Sequence, residues 1–422
     1  MRHDMPNGSV VVVGSGVIGL AVACHLVQDG VEVTLVDRDP EGDRASHGNA
    51  GGIAVSEVVP ASVPGMLWRI PGWLLDPLGP LAVRPSHAPK LARWLWRFSC
   101  AGTTSEVARI SAALATLLGR VYDDLVPMLA ATGLNDQLHR RGALTVYETE
   151  AGFRRDANEW ALKRSHGIEA IEMAFEEARR LEPALGPMVC RAVFTPQWSH
   201  ISDPKRLVDG LRSWLQANGL SIIRGEVVEI TPSDDGGAGE TDVRLADGRS
   251  LRGHTIVVAT GAWSGRIARR LGDKVLIESE RGYNATLVHP GVSLEREIIF
   301  AERKFVATPL SCGLRIGGAA EFGGLDAIAD YRRSEALVTL ARRYLPGLRT
   351  GGGENWAGHR PATPDSLPVI GRSGRYSNVV YAFGHGHLGL TLAATTGRLV
   401  ADLVSRRPPT IELGPYAATR FG

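Results

Sequence analysis

The chain has 422 residues, more than a single hydrophobic core usually serves, so about two domains are expected. Its 47 Lys and Arg nearly balance 45 Asp and Glu, and no lysine-rich block or aromatic-basic interleaving occurs, which argues against a nucleic-acid partner. Four scattered cysteines, Cys24, Cys100, Cys190 and Cys312, form no CxxC or ligand spacing and argue against a disulfide scaffold, a metal site or a redox dithiol.

Met1 to Ser9 is short and polar and has no signal-peptide pattern, so a cytoplasmic location is expected. It leads into Val10-Val11-Val12-Val13-Gly14-Ser15-Gly16-Val17-Ile18-Gly19. An apolar run ending in glycines at this spacing predicts a buried strand, a tight turn at Gly14 and close backbone approach to a pyrophosphate at Gly16. A helix then follows from Val17 to Gln28, packed closely at Gly19 and stopped at Gly30. Phosphates at its N-terminus would meet free N–H groups and the positive end of the macrodipole. The strand Val31 to Val36 ends in Asp37, placed as the acid that takes ribose hydroxyls, so an adenine dinucleotide, FAD or NAD, is expected.

Next comes Ser46-His47-Gly48-Asn49-Ala50-Gly51-Gly52, small residues that let a backbone lie against a ligand ring. From Glu57 to about Asn135 prolines and Trp68, Trp73, Trp94 and Trp96 suggest an inserted helical layer. Pro64 to Val83 is too broken by Arg69, Asp76 and prolines to span a membrane, and Pro64 to Arg97 reads as a lid or docking surface. Apolar spacing predicts helix over Ser111 to Ala131. Arg141 to Tyr147 reads as a strand, and Glu150 to Ser165 and Glu176 to Pro183 as helices.

Asp203 and Pro204 are suited to cap and open a helix from Lys205 to Ala217, with His200 before it as either a pocket residue or a strand-end histidine. Ile222 to Ile230 reads as a strand, and Asp247-Gly248 as the turn of a hairpin. Thr255 to Ala259 is a buried strand turning at Thr260-Gly261-Ala262-Trp263. Further strands follow at Arg281 to Val288, Ile298 to Ala301, Lys304 to Thr308 and Gly313 to Gly318, without intervening helices, which suggests an antiparallel sheet. Ser334 to Leu345 is helical. Gly358 to Gly371 reads as a rigid segment carrying Arg360. The strand Val379 to Phe383 then leads through Gly384 to Gly389 into a helix starting at Leu390. Nucleotide-type elements near the start, middle and end make the cofactor domain discontinuous.

These residues together resemble the FAD-dependent D-amino acid oxidase superfamily, and within it the bacterial D-amino acid dehydrogenases. The resemblance spans nearly the whole chain. It rests on the glycine motif with Asp37, on Ser46 to Gly51, and on Trp73-Leu74-Leu75-Asp76-Pro77 followed by Pro80 to Pro85. It continues through Arg281-Gly282-Tyr283, Arg360-Pro361-Ala362-Thr363-Pro364-Asp365 and Gly384-His385-Gly386-His387-Leu388-Gly389. It implies an α/β architecture: a Rossmann-type FAD domain from residues 1–66, 200–274 and 350–422, and an α+β substrate domain with a mainly antiparallel sheet from 67–199 and 275–349. By the same resemblance the ADP half of FAD lies on Gly14, Gly16, Val17, Ile18, Asp37 and Arg38. Ser46, Asn49, Ala50, Gly51 and Gly52 line the flavin end, Val227 meets the adenine, Thr260, Gly261 and Trp263 lie beneath the nucleotide, and Gly386, His387, Leu388 and Gly389 face the pyrimidine edge.

Related sarcosine oxidases attach flavin to a cysteine where Gly358 stands here, so noncovalent FAD is expected. The resemblance implies oxidation of a small D-amino acid, through an imine, to the 2-oxo acid. Arg360 would hold the carboxylate, Tyr283 would add a hydroxyl, and His200 would be a pocket residue. A cyclic imino acid such as D-hydroxyproline, or sarcosine or glycine, is the alternative substrate. A 2-hydroxy acid dehydrogenase and a noncatalytic flavin subunit are more distant alternatives. The electron acceptor would be oxygen, a quinone or an electron-transfer protein, and a peripheral contact with the inner membrane is an open expectation. Asn284, after Tyr283, stands where those dehydrogenases usually carry serine or threonine.

Overall fold

The computed structural model describes residues 8–42, 44–76, 79–233 and 239–422. Met1 to Asn7 of the N-terminal segment and Pro77 of the Trp73 motif therefore lie outside the described residues.

The valine run does what four adjacent β-branched apolar residues should do when both faces of a sheet are covered. Val10–Val13 is fully buried and pairs in parallel with Val33–Asp37 on one side and Thr255–Val258 on the other. Ser221–Arg224 and Val379–Phe383 extend this sheet in parallel, and Val369–Arg372 closes it antiparallel, giving six strands. One face packs on the helices Val17–Gln28 and Ala393–Val404, which approach so closely that a Cβ on Gly397 would press on the Ala21 backbone. The other face is covered by a small antiparallel sheet of Val227–Thr231, Thr241–Leu245 and Ser250–Gly253.

The second, larger sheet runs in the order Gly353–Ala362, Glu278–Leu287, Gly313–Phe322, Phe305–Leu310, Glu297–Phe300, Ala143–Tyr147, Arg191–Thr195 and Ile171–Ala174, with Leu81–Val83 beside Gly313–Phe322. It is mainly antiparallel; Glu297–Phe300 pairs in parallel with Ala143–Tyr147. Its outer face buries an apolar core under the helix Arg332–Tyr344. A third, minor sheet joins Gly52–Ile53, Ser199–Ile201 and Leu138–His139.

Several elements differ from the sequence reading. The helical stretch from Ser111 to Ala131 is two helices, Thr104–Leu118 and Val121–Thr132, separated at Gly119 and Arg120. Glu150 to Ser165 is likewise broken at Asp156, which stands at the N-cap position of the second half without a side-chain cap bond. Ile222 to Ile230 is two strands in different sheets, divided at Gly225. The rigid segment around Arg360 begins as a ten-residue strand, Gly353–Ala362, paired along its whole length with Glu278–Leu287. The last helix starts at Ala393 instead of Leu390, so Gly386 to Gly389 form the turns leading into it. By contrast, the Asp203 carboxylate accepts from Lys205 N and Arg206 N, and Pro204 opens the helix Pro204–Ala217 as expected.

Candidate active site

One cavity of about 1530 Å³ runs from the end of the Val10–Val13 strand to the face of the large sheet. That exceeds the roughly 300–1,000 Å³ of a pocket for one drug-sized ligand. At the nucleotide end, Gly14 has φ +109° and a Cβ there would strike the Ala259 carbonyl, while one on Gly19 would overlap Gly14 O. Those two glycines serve the protein's own packing. Gly16 is different: a Cβ there would meet only Ser46 Oγ, at 3.4 Å, so the missing side chain leaves space beside the helix N-terminus. No side chain caps Val17–Gln28, although Ser46 Oγ accepts from Val17 N at 3.0 Å.

Asp37 is held with one carboxylate oxygen on Ser15 N, 2.7 Å, and the other on Asp39 N, 2.8 Å. Arg38 lies over the Trp263 ring at 4.2 Å, and burial, reinforced by the neighbouring Arg44, pulls its guanidinium below the ordinary value. Trp263 meets His359 edge-on. Burial first, and then Arg281 and Arg38, push that imidazole down to about 4, so it is neutral near pH 7. A cradle emptied of Cβ at Gly16, a helix start and a fixed carboxylate fit an adenine dinucleotide.

At the sheet end, Arg360 and Glu280 are directly opposite in the antiparallel register. Arg360 lies back across Gly282, where a Cβ would come within 2.5 Å of the guanidinium carbon. Its Nη1 donates to Glu280 Oε1 at 2.8 Å and to Ala319 O at 3.1 Å, and Nη2 donates to Gly318 O at 3.4 Å. The register shifts between Arg281 and Tyr283 against the Gly313–Phe322 strand, and Ala319 has φ +51°, a strained value for a residue with a Cβ. This bulge turns two carbonyls toward the arginine. Of five N–H donors, Nε–H and one Nη2–H have no acceptor among the described residues.

All but two of the residues expected at the site line this cavity. They are Gly14, Gly16, Val17, Ile18, Asp37, Arg38, Ser46, Asn49, Ala50, Gly52, Val227, Thr260, Gly261, Trp263, Gly386, His387, Leu388, Gly389, Tyr283 and Arg360. Gly51 does not line it: with φ +95° it is the turn residue whose carbonyl accepts from Ile201 N. His200 does not line it either. It is buried in the minor sheet, stacked on His139 at 5.2 Å, and burial with His139 pushes its imidazole down to about 4. Tyr283 lines the cavity, but its hydroxyl donates to Glu321 and accepts from Asp330 N, so its one proton is committed within the protein. Burial, then Glu321, raises that phenol above its ordinary value.

Several cavity residues stand outside the set expected at the site. Glu280 and Trp356 reach the site only through strand pairing, Trp356 against Gly48. Asn284 donates to Gly48 O at 2.7 Å and so ties the small-residue loop to the sheet. Glu297 is buried against Gly52 and Trp198, and burial holds its carboxyl up to about 8. Lys163, nearly buried, bridges Glu57 at 3.0 Å and Glu159 at 3.2 Å. Burial opposes the charge on Glu57, yet Lys163 and His387 hold its carboxyl below the ordinary range. None of the four cysteines lines the cavity, and Gly358 is packed against the Trp356 indole.

Known proteins resemble this chain along nearly its whole length. The chain is 33% identical over 428 residues to a D-amino-acid oxidase of Bradyrhizobium diazoefficiens, covering 99% of this chain and all of that one. It is 32% identical to D-amino acid dehydrogenase 2 of Ralstonia nicotianae, over 97% of this chain and all of that protein. The glycine oxidase structure from Geobacillus kaustophilus shares the fold, with a TM-score of 0.73, 23% identity and 98% of each chain covered. Residues 9–403 match the family model described as DAO, FAD dependent oxidoreductase, and the chain belongs to that family of FAD-dependent oxidoreductases.

Proposed function

We propose that this flavoenzyme oxidises the Cα–N bond of a small D-amino acid, giving an imine that water converts to the 2-oxo acid and ammonia. One observation carries the reading. Arg360, with Nε–H and one Nη2–H left without a protein acceptor among the described residues, shares a cavity with the dinucleotide cradle at Gly16 and Asp37. A guanidinium edge with two parallel donors matches a carboxylate in a two-point contact. The named relatives act on D-amino acids, which supports the D configuration.

FAD would be held by the Gly14 to Gly19 turn and Asp37, and when bound it supplies the hydride acceptor. The protein's own part is to fix the carboxylate, exclude water and align Cα, which is where effective molarity is gained. Tyr283 keeps the Glu321 side of the strand in place and is not assigned a substrate contact. The absence of any cysteine at the cavity supports noncovalent FAD. The electron acceptor we propose is oxygen, a quinone or an electron-transfer protein.

We also propose a peripheral lipid contact. Trp68, Leu75 and Trp96 are 90, 83 and 68% exposed. Residues 61–100 carry Arg69, Arg84, Lys90, Arg93 and Arg97 against the single acid Asp76. That is the composition of a surface that meets anionic headgroups.

The test of the activity is a substrate panel. Purified protein mixed anaerobically with D-amino acids, their L-enantiomers, sarcosine and 2-hydroxy acids should lose its oxidised-flavin absorbance with D-amino acids and yield 2-oxo acid and ammonia. Bleaching by 2-hydroxy acids alone would replace this reading with alcohol oxidation.

A further inference from the structure

We infer that Glu280 makes the site select zwitterions: Arg360 receives the substrate carboxylate, and Glu280 receives the α-ammonium. The inference rests on the reading of Arg360 given above, and goes beyond it by assigning the second pole of the substrate.

Arg360 is not a lone cation, because Glu280 sits opposite it in register, and their side chains are 2.8 Å apart at the cavity wall. A carboxylate ligand without a positive group would gain the guanidinium but also meet the Glu280 carboxylate a few ångströms away. Like charges that close offset much of the gain. An α-amino acid carries its ammonium one carbon from its carboxylate, and so presents both signs over the same short distance that separates guanidinium from Glu280. An adjacent Arg–Glu pair is the mirror of that dipole.

Donor and acceptor counts agree. Glu280 uses Oε1 for Arg360, and Oε2 has no protein donor among the described residues. Arg360 keeps Nε–H and one Nη2–H without a protein acceptor among the described residues. The ligand can therefore engage both residues without breaking the ion pair between them. Gly282, between Glu280 and Tyr283 on the same strand, keeps the wall flat at this point, since any Cβ there would push the guanidinium away.

The experiment uses two ligands that lack a Cα hydrogen and so cannot be oxidised: 2-aminoisobutyrate and 2-hydroxyisobutyrate. They differ in the amino group. Each is titrated into FAD-loaded wild type and Glu280→Gln, followed by calorimetry and by the change in flavin absorption. Glutamine keeps an oxygen for Arg360 Nη1 and removes the charge. The wild type should prefer the amino compound. The variant should bind it about 10- to 100-fold more weakly, as expected for losing a hydrogen bond between charged groups, and should bind the hydroxy compound more tightly. Equal changes for both ligands, or none, would overturn the assignment. The wild-type comparison needs no variant: equal affinity for the two compounds would overturn the assignment even if Glu280→Gln failed to fold. Failure of both ligands to bind wild type would instead remove the carboxylate reading of Arg360, and the Glu280 assignment with it.

Discussion

Arg360 is held at three points by Glu280, Ala319 and Gly318, so its guanidinium is placed before substrate arrives. On the proposed reading, removing it would leave the substrate carboxylate unpaired beside Glu280, a loss on the order of 2–5 kcal/mol. Arg360→Ala should therefore lower flavin reduction at limiting substrate by roughly 30-fold to a few thousand-fold. Arg360→Lys should recover only part, since an ammonium keeps the charge but not the planar fork. FAD content measured on both variants should match the wild type. Glu297 carries a separate prediction. In the folded protein it keeps its proton up to about pH 8, whereas an unfolded glutamate loses it near about pH 4.3. Between those values the native state binds the extra proton, so this residue's contribution to stability falls as pH rises and levels off above the folded value. Glu297→Gln is neutral throughout, and its Tm should gain on the wild type as pH goes from about 5 to about 8. A difference in Tm that is flat across that range would show that the wild-type carboxyl is ionised throughout.

The first strand, turn and helix separate two uses of glycine that the motif alone merges. Gly14 and Gly19 fill contacts that the protein itself makes, so Gly14→Ala and Gly19→Ala should destabilise even flavin-free protein. Gly16 borders open cavity, so Gly16→Ala should fold with a near-normal Tm without flavin and fail to retain FAD on dialysis. Retained flavin in that variant would move the pyrophosphate elsewhere. The contrast shows how far sequence reasoning reached. Val10 to Gln28 and the Asp203 cap were legible because each is a local signal with a single structural solution. Arg360 was legible through a motif, but its strand was not, since Gly, Pro and His dominate Gly358 to Pro361 and disguise a ten-residue strand that non-local pairing stabilises. Glu280 and Trp356 were invisible for the same reason. His200 stayed between two readings because a histidine at a strand end reads alike whether it faces a cavity or a neighbouring ring, and the strand-end reading is the one observed.

Across the whole molecule, the proposed cofactor cradle and the proposed substrate anchor Arg360 belong to different sheets joined by one cavity, and the small-residue loop is fastened to the large sheet by Asn284. Flavin should leave the protein on acid or heat precipitation, since no cysteine lines that cavity; flavin remaining in the pellet would show a covalent link. No helix among the described residues is long and apolar enough to cross a membrane. The tryptophan and arginine surface around Trp68 and Trp96 should carry the protein down with vesicles containing anionic lipid, and about 0.5 M salt should release a large part of it by screening. Equal sedimentation with neutral vesicles would remove the electrostatic component. The central claim, that Arg360 anchors the carboxylate of an amino acid poised for oxidation, is tested most directly by the rate of anaerobic flavin reduction with a D-amino acid and with its amide, in wild type and in Arg360→Ala. The wild type should strongly prefer the acid, and the variant should lose most of that preference while keeping its FAD. A variant that remains selective for the acid would contradict the account and place the carboxylate anchor on another residue.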